Sequence, residues 1–160
     1  MNAGVLEGYF EDFVVGAVYR HGRGKTIGPL ENVGITNMVL NTAQGHFNED
    51  LMSRSSFGKI LVFGGVTIAM TIGLTMQDTG AHALRELGLD KVRLRAPVFH
   101  GDTIYSYTEV LESAPSEQPD AGVVVFRHVG VNQHVAMVCE AQRKVLVRRR
   151  PGGNGSVFEA

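Results

Sequence analysis

The pattern of apolar and polar positions divides the chain into a mixed first half and a strand-rich second half. From Phe13 to Ile27 the residues are first β-branched and aromatic, then polar around Arg20, His21, Gly22, Arg23 and Gly24, which predicts a strand entering a bend. Glu31 to Leu40 carries Val33, Met38, Val39 and Leu40 at loosely helical spacing and predicts a short helix, followed by a polar loop over Asn41 to Asp50. The stretch from Ile60 to about Gln77 reads as the central helix, with Gly64 and Gly65 near its start and Gly80 beyond its end. Being apolar all round, it should be buried. Leu84 to Leu94 mixes polar and apolar residues, and Pro97 with Gly101 and Asp102 marks a turn.

Beyond that turn the pattern is β. Asp102 to Leu111 alternates, with Ile104, Ser106, Thr108 and Val110 on one face and Tyr105, Tyr107, Glu109 and Leu111 on the other. Ala114 to Ala121 is a loop, Gly122 to Gly130 the next strand, and Asn132-Gln133 a tight reversal. In the last strand Val135, Met137, Cys139, Ala141, Val145 and Val147 share one parity while Glu140, Gln142 and Lys144 take the other, as in a half-buried antiparallel strand. A buried helix followed by a three-stranded meander, with one strand before it, implies an α+β fold whose sheet curls around the helix.

At 160 residues and 44% hydrophobic, the chain is expected to form one domain over residues 1–150, with a flexible tail over 151–160 that contains Gly152, Gly153 and Gly155. A chain of this size builds a core without staples, and a lone Cys139 allows no internal disulfide. Fifteen Lys and Arg against sixteen Asp and Glu leave no excess of positive charge to neutralise a nucleic-acid backbone. Glu7, Glu11 and Asp12 stand where an export signal would carry basic and then apolar residues, so a cytoplasmic location is expected. The uncharged run Ile60 to Met76 approaches the length of a membrane span. Its glycines and threonines, without flanking basic clusters, fit a buried helix of a soluble protein better.

Candidate chemistry is sparse. Gly24-Lys25-Thr26 suggests a phosphate loop, but Tyr19 stands where the motif needs glycine, and Gly28-Pro29 would interrupt the helix that the loop must open. One cysteine and no histidine pair at ligand spacing argue against a metal site. His21, His82, His100, His128 and His134 lack a paired acid at a recognisable spacing and read as structural or surface residues. His46 differs, because it ends the polar run Asn41-Thr42-Ala43-Gln44-Gly45-His46 just before the segment leading to the central helix.

Three ordered blocks resemble those of the MaoC-like hydratases and dehydratases, the family of the R-specific enoyl-CoA hydratases. In the family's G-D-x-N-P-x-H loop an Asp precedes a His by five residues, matched here by Asn41 and His46. Phe57-Gly58 and then Phe63-Gly64-Gly65-Val66-Thr67 correspond to the approach to the helix, with Phe63 in place of a polar residue. The third and most specific block, P-V-x-x-G-D-T, is Pro97-Val98-Phe99-His100-Gly101-Asp102-Thr103.

The resemblance implies a hot-dog fold, a curved antiparallel sheet around a long central helix, paired as a homodimer. It also implies an acyl thioester substrate carried by coenzyme A or acyl carrier protein, and no further cofactor. His46 would be the acid and base, Asn41 would position water, and the Gly64 amide, with Gly65 and Phe63 beside it, would polarise the thioester carbonyl. An unpaired N–H at a helix start stabilises negative charge on such an oxygen, and glycine permits close approach. An amide orients water but takes no proton from it near neutrality, whereas imidazole shuttles protons there, so His46 would be the sole base. Asn41 is equally able to brace its own loop through hydrogen bonds to nearby backbone. Arg93 with Arg95, and the run Arg148 to Arg150, are candidates for the phosphates of coenzyme A or for a distal carboxylate, such as that of a small dicarboxylic acyl group of mesaconyl type. A non-catalytic acyl-binding or heterodimer subunit is the alternative reading, and a hot-dog thioesterase a weaker one.

Overall fold

Five antiparallel strands curl around a short helix in the computed structural model, which describes residues 6–152. In chain order the elements are β1 (Val18–Thr26), α1 (Pro29–Met38), α2 (Glu49–Ser53), α3 (Gly64–Gly73), α4 (Met76–Thr79), β2 (Ala83–Leu94), β3 (Thr103–Pro115), β4 (Ala121–Val131) and β5 (Met137–Arg148). The strand order is β1-β3-β4-β5-β2, so the meander β3-β4-β5 forms the centre of the sheet and β1 and β2 close its edges. Alternation places the inner face where the sequence predicts it: Ile104, Ser106, Thr108 and Val110 of β3 are all buried. From residue 153 onward the expected flexible tail lies outside the described residues.

The central helix is shorter than expected, because its first residues are taken by other partners. Ile60 to Phe63 runs extended: Leu61 bridges Phe99, and the Val62 amide donates to the Val98 carbonyl at 2.8 Å. Helix α3 therefore begins at Gly64. Nor is it apolar toward the core, since Thr67, Thr71, Thr75 and Thr79, spaced four apart, form the buried stripe across α3 and α4. Residues 84–94, which suggested no regular element, are the edge strand β2. Register shifts at three points along its pairing with β5 break the two-residue period that would have revealed it. No described helix is long and apolar enough to cross a membrane.

Two apolar clusters line the inner face of the sheet, one under α3 around Ile27, Val66, Ile104 and Cys139, the other under the N-terminal segment at Leu6 and Phe10, around Phe13, Val110, Phe126 and Val145. A polar chain is buried in the same interior. His21 reaches Asp78 at 2.5 Å and Thr108 at 2.7 Å, and Thr108 meets His128 Nδ1 at 2.8 Å. Arg143, 2% exposed on the core face of β5, bonds Glu86 at 2.7 Å and Thr79 at 3.2 Å. Burial first, and then the nearby Arg143 and His21, hold His128 down to about 3, so it is neutral near pH 7. The histidines read as structural thus include two that are essential parts of the interior. Of the basic run ending β5, Arg149 pairs with Glu11 at 3.2 Å, and Arg150 pairs with Glu7 and Asp12. Those two arginines fasten the N-terminal segment to the sheet, instead of facing a ligand's phosphates as the sequence suggested.

Candidate active site

The loop after α1 is shaped by its own side chains. The Asn41 amide donates to the Thr36 carbonyl at 3.0 Å, and Asn41 Oδ1 accepts from the Ala43 amide at 3.0 Å. One tight turn, Gln44 to His46, then delivers the imidazole. The extended segment beside it holds the ring: Leu61 N–H donates to the Gly45 carbonyl at 3.1 Å, and His46 Nδ1 donates to the Leu61 carbonyl at 3.0 Å. With its proton on Nδ1, the neutral ring carries its lone pair on Nε2.

Helix α3 starts beside this ring without a side-chain cap, because its N-cap is Phe63. The Val66 and Thr67 amides both donate to the Phe63 carbonyl, at 2.9 and 3.3 Å, whereas the Gly64 and Gly65 amides find no protein acceptor among the described residues. Two N–H groups backed by the helix dipole are thus left for a ligand. A Cβ at Gly65 would stand 2.5 Å from the Phe63 ring, so glycine is what lets that ring fold over the helix start.

Asn32, wholly buried on α1, joins these parts. Its Nδ2 lies 3.0 Å from the His46 carbonyl, 3.3 Å from the Leu61 carbonyl and 2.8 Å from His100 Nε2, while its Oδ1 accepts from the Phe63 amide at 2.8 Å. One side chain therefore sets the spacing between the histidine turn and the helix start. Its sequence signal was faint, since the apolar residues of α1 suggested the inner face. The structure instead buries Asn32 and Thr36, four apart, and leaves Leu30 and Met38 at 85% and 80% exposure.

His46, Gly64 and Arg95 meet at one cavity of about 400 Å³, walled otherwise mainly by Phe57, Leu94 and Val98. Thr67, one helical turn beyond Gly64 and unnoticed in the sequence, adds a side chain to the same wall. The Phe63 ring lies 5.5 Å from the His46 ring, centre to centre. Asn41 is not on this wall; its oxygen is bound within its own loop, which supports the bracing role over the water-positioning one. Arg93 lies outside the cavity too, in a neighbouring pocket that shares Arg95. Arg95 itself pairs with Glu140. Hydrogen bonds from Arg127 and then Arg95 hold the Glu140 carboxyl below the usual carboxylate range.

A family model for mesaconyl-CoA hydratase matches residues 8–149. The chain belongs to the mesaconyl-CoA hydratase family. It is 34% identical over 152 residues to the mesaconyl-CoA hydratase of Haloarcula marismortui, covering 88% of this chain and 42% of that protein. It is 33% identical over 121 residues to the beta-methylmalyl-CoA dehydratase of Chloroflexus aurantiacus, covering 75% of this chain and 34% of the relative. The chain thus spans between about a third and two-fifths of the length of the family relatives it matches. A crystal structure of a MaoC domain protein dehydratase from Chloroflexus aurantiacus superposes with a TM-score of 0.83 at 28% identity, over 89% of this chain and 45% of that one. A Mycobacterium tuberculosis protein described as a double hotdog fold superposes at 0.81 and 22% identity, over 92% of this chain and 46% of the other. The fold of this family member is accordingly the hot-dog fold.

Proposed function

We propose that this chain is a hydro-lyase that adds water to, or removes it from, the α,β position of an acyl-CoA whose acyl group is small, branched and dicarboxylic, of the mesaconyl type. The observation that carries this reading is the convergence of the imidazole of His46 and the unpartnered Gly64 N–H on one cavity. The names of the Haloarcula hydratase and the Chloroflexus dehydratase support the substrate class. In hydration the thioester oxygen accepts from the Gly64 amide, and electron density moves from the α,β double bond toward that oxygen. Nε2 of His46 takes a proton from water as the oxygen bonds to Cβ, then returns it to Cα, so atoms and charge balance on one face. Asn41 enters by bracing the loop that carries His46.

A second copy of the chain completes this reading. The outer side of α3 and α4 and the edge strand β2 leave Ile72, Met76, Leu87 and Leu89 around an open apolar groove of about 420 Å³, which a two-fold partner would cover. The alternative, a non-catalytic or heterodimer subunit, is favoured by one fact: among the described residues no carboxylate stands on the cavity wall. The same fact counts against a thioesterase.

The deciding experiment incubates the purified protein with mesaconyl-CoA and crotonyl-CoA, following the conjugated-thioester absorbance alongside free thiol. Loss of absorbance without thiol is the expected result. Thiol release would instead establish a thioesterase, and no change with either substrate, alone or with a candidate partner subunit, would establish the binding role.

A further inference from the structure

Beside the reactive cavity lies a second, smaller pocket of about 190 Å³ on the outer face of the sheet, lined by Lys91, Arg93, Arg95, Arg127, Glu140 and Gln142. Its size suits a single anionic group better than a whole ligand. Four cations surround one carboxylate there. Glu140 is engaged by Arg95 and by Arg127, the latter at 2.8 Å, and Arg127 also reaches Glu109 at 3.3 Å. Among the described residues Lys91 and Arg93 have no carboxylate partner, and Arg93 donates only to the neighbouring Val92 carbonyl, at 2.9 Å.

Lys91, Arg93 and Arg95, from β2 and its exit, line this pocket together as a stripe leading away from the cavity. The stripe is shaped by the backbone. Pairing of β2 with β5 shifts register between Asp90 and Arg93, and inside that shift Lys91 adopts φ +48, in the left-handed region that a lysine seldom occupies. Strain of this kind persists where the surrounding structure holds it, and here it directs a long cationic side chain into the pocket. Arg95, on the walls of both pocket and cavity, joins the two.

We infer that Lys91, Arg93 and Arg95 form a subsite for the phosphates of the coenzyme A portion of the substrate, with Glu140 holding the guanidinium of Arg95 in place. The inference rests on the hydro-lyase reading for the position of the thioester, at the Arg95 end of the stripe. A phosphate presents several acceptor oxygens and up to two negative charges, which the forked arginine donors and the free lysine match. A distal carboxylate of the acyl group is the other anion such cations could take. It would lie at the Arg95 end alone, close to the reacting carbons, and would leave Lys91 and Arg93 without a role.

The test measures binding by calorimetry, with free coenzyme A and with pantetheine, which lacks the phosphates, as probes. Wild-type protein should bind coenzyme A at least about tenfold more tightly than pantetheine, with an affinity that falls as salt is raised. In the full chain carrying Lys91→Ala and Arg93→Ala, coenzyme A affinity should drop about tenfold or more while pantetheine affinity stays the same. Arg93→Lys should restore part of the loss, and Arg23→Ala, removing an exposed cation on the far edge strand β1, should change nothing. Equal binding of coenzyme A by wild type and double variant overturns the subsite, as does an equal loss for both probes. A double variant that loses discrimination between mesaconyl-CoA and crotonyl-CoA, with coenzyme A binding intact, assigns the stripe to the carboxylate and overturns it as well. Because binding is read without turnover, a coenzyme A-specific loss in a protein that hydrates nothing upholds the subsite and removes the hydro-lyase reading.

Discussion

Replacing Asn32 tests whether the geometry of the site depends on one buried amide. In Asn32→Ala the Phe63 N–H loses its 2.8 Å acceptor and the His46 carbonyl its 3.0 Å donor, both at a side chain that is itself wholly buried, while the Leu61 carbonyl keeps its bond from His46 Nδ1 and His100, which lines an open pocket, can exchange its 2.8 Å contact for water. Two stranded groups at about 1–3 kcal/mol each amount to about 2–6 kcal/mol, a large share of the roughly 5–15 kcal/mol that holds a domain together. Urea unfolding measures that loss directly. Under conditions where the variant stays folded, kcat for mesaconyl-CoA should fall at least about tenfold, because Asn32 sets the distance between the imidazole and the helix-end amide.

Asn32→Asp adds a signature that simple destabilisation lacks. The carboxylate still accepts from Phe63 N–H, and His100 Nε2 stands 2.8 Å away, but with the His46 and Leu61 carbonyls against it and a neutral His100 ring, burial and carbonyl repulsion raise its folded pKa above that of the unfolded chain. The folded state then binds more protons than the unfolded state. The stabilising contribution is present below the unfolded pKa and is lost as pH rises through the folded one, so this variant grows more stable relative to wild type on acidification. A variant of normal kcat and reduced stability would refute the positioning role, and unchanged stability in Asn32→Ala would refute the clip altogether.

The site residues make further predictions. His46→Ala should lower kcat by about two to four powers of ten with thioester binding retained, measured by the absorbance assay, and Asn41→Asp should keep the loop fold and leave kcat within about tenfold. In Gly64→Ala the new methyl would stand 2.5 Å from Leu94 Cδ1, a mobile side-chain end. The melting temperature should therefore change little, while kcat/KM falls at least about tenfold as the carbonyl is kept from the amide. For His128, whose folded value is about 3 against an ordinary 6.5, the unfolded chain binds a proton that the folded chain refuses throughout that interval. Stability should decline by up to about 1.4 kcal/mol per pH unit on going from pH 6.5 toward 3, and the decline should be shallower in His128→Leu. Equal slopes in chemical denaturation would contradict this.

Much of the architecture could be read along the chain because it rests on short-range periodicity. The alternation through Ile104, Ser106, Thr108 and Val110 states which face of β3 is inward, and the three ordered blocks ending in Pro97 to Thr103 state the family. His46, Gly64 and Arg95 were each named from the chain as candidates, and it is the fold that sets all three on one cavity. Edge strand β2 was hidden by its bulges, and the extended stretch Ile60 to Phe63 by an apolar composition that suits helix and strand alike. Composition and period therefore determined the class of fold, its inner face and the residue types available for chemistry. Tertiary structure alone decided that Asn32 ties the histidine turn to the helix, that Asn41 looks to its own loop, and that two arginines after β5 fasten the N-terminal segment. Each of these depends on which distant backbone groups are left without partners once the sheet has closed, and the local pattern of side chains carries no record of that.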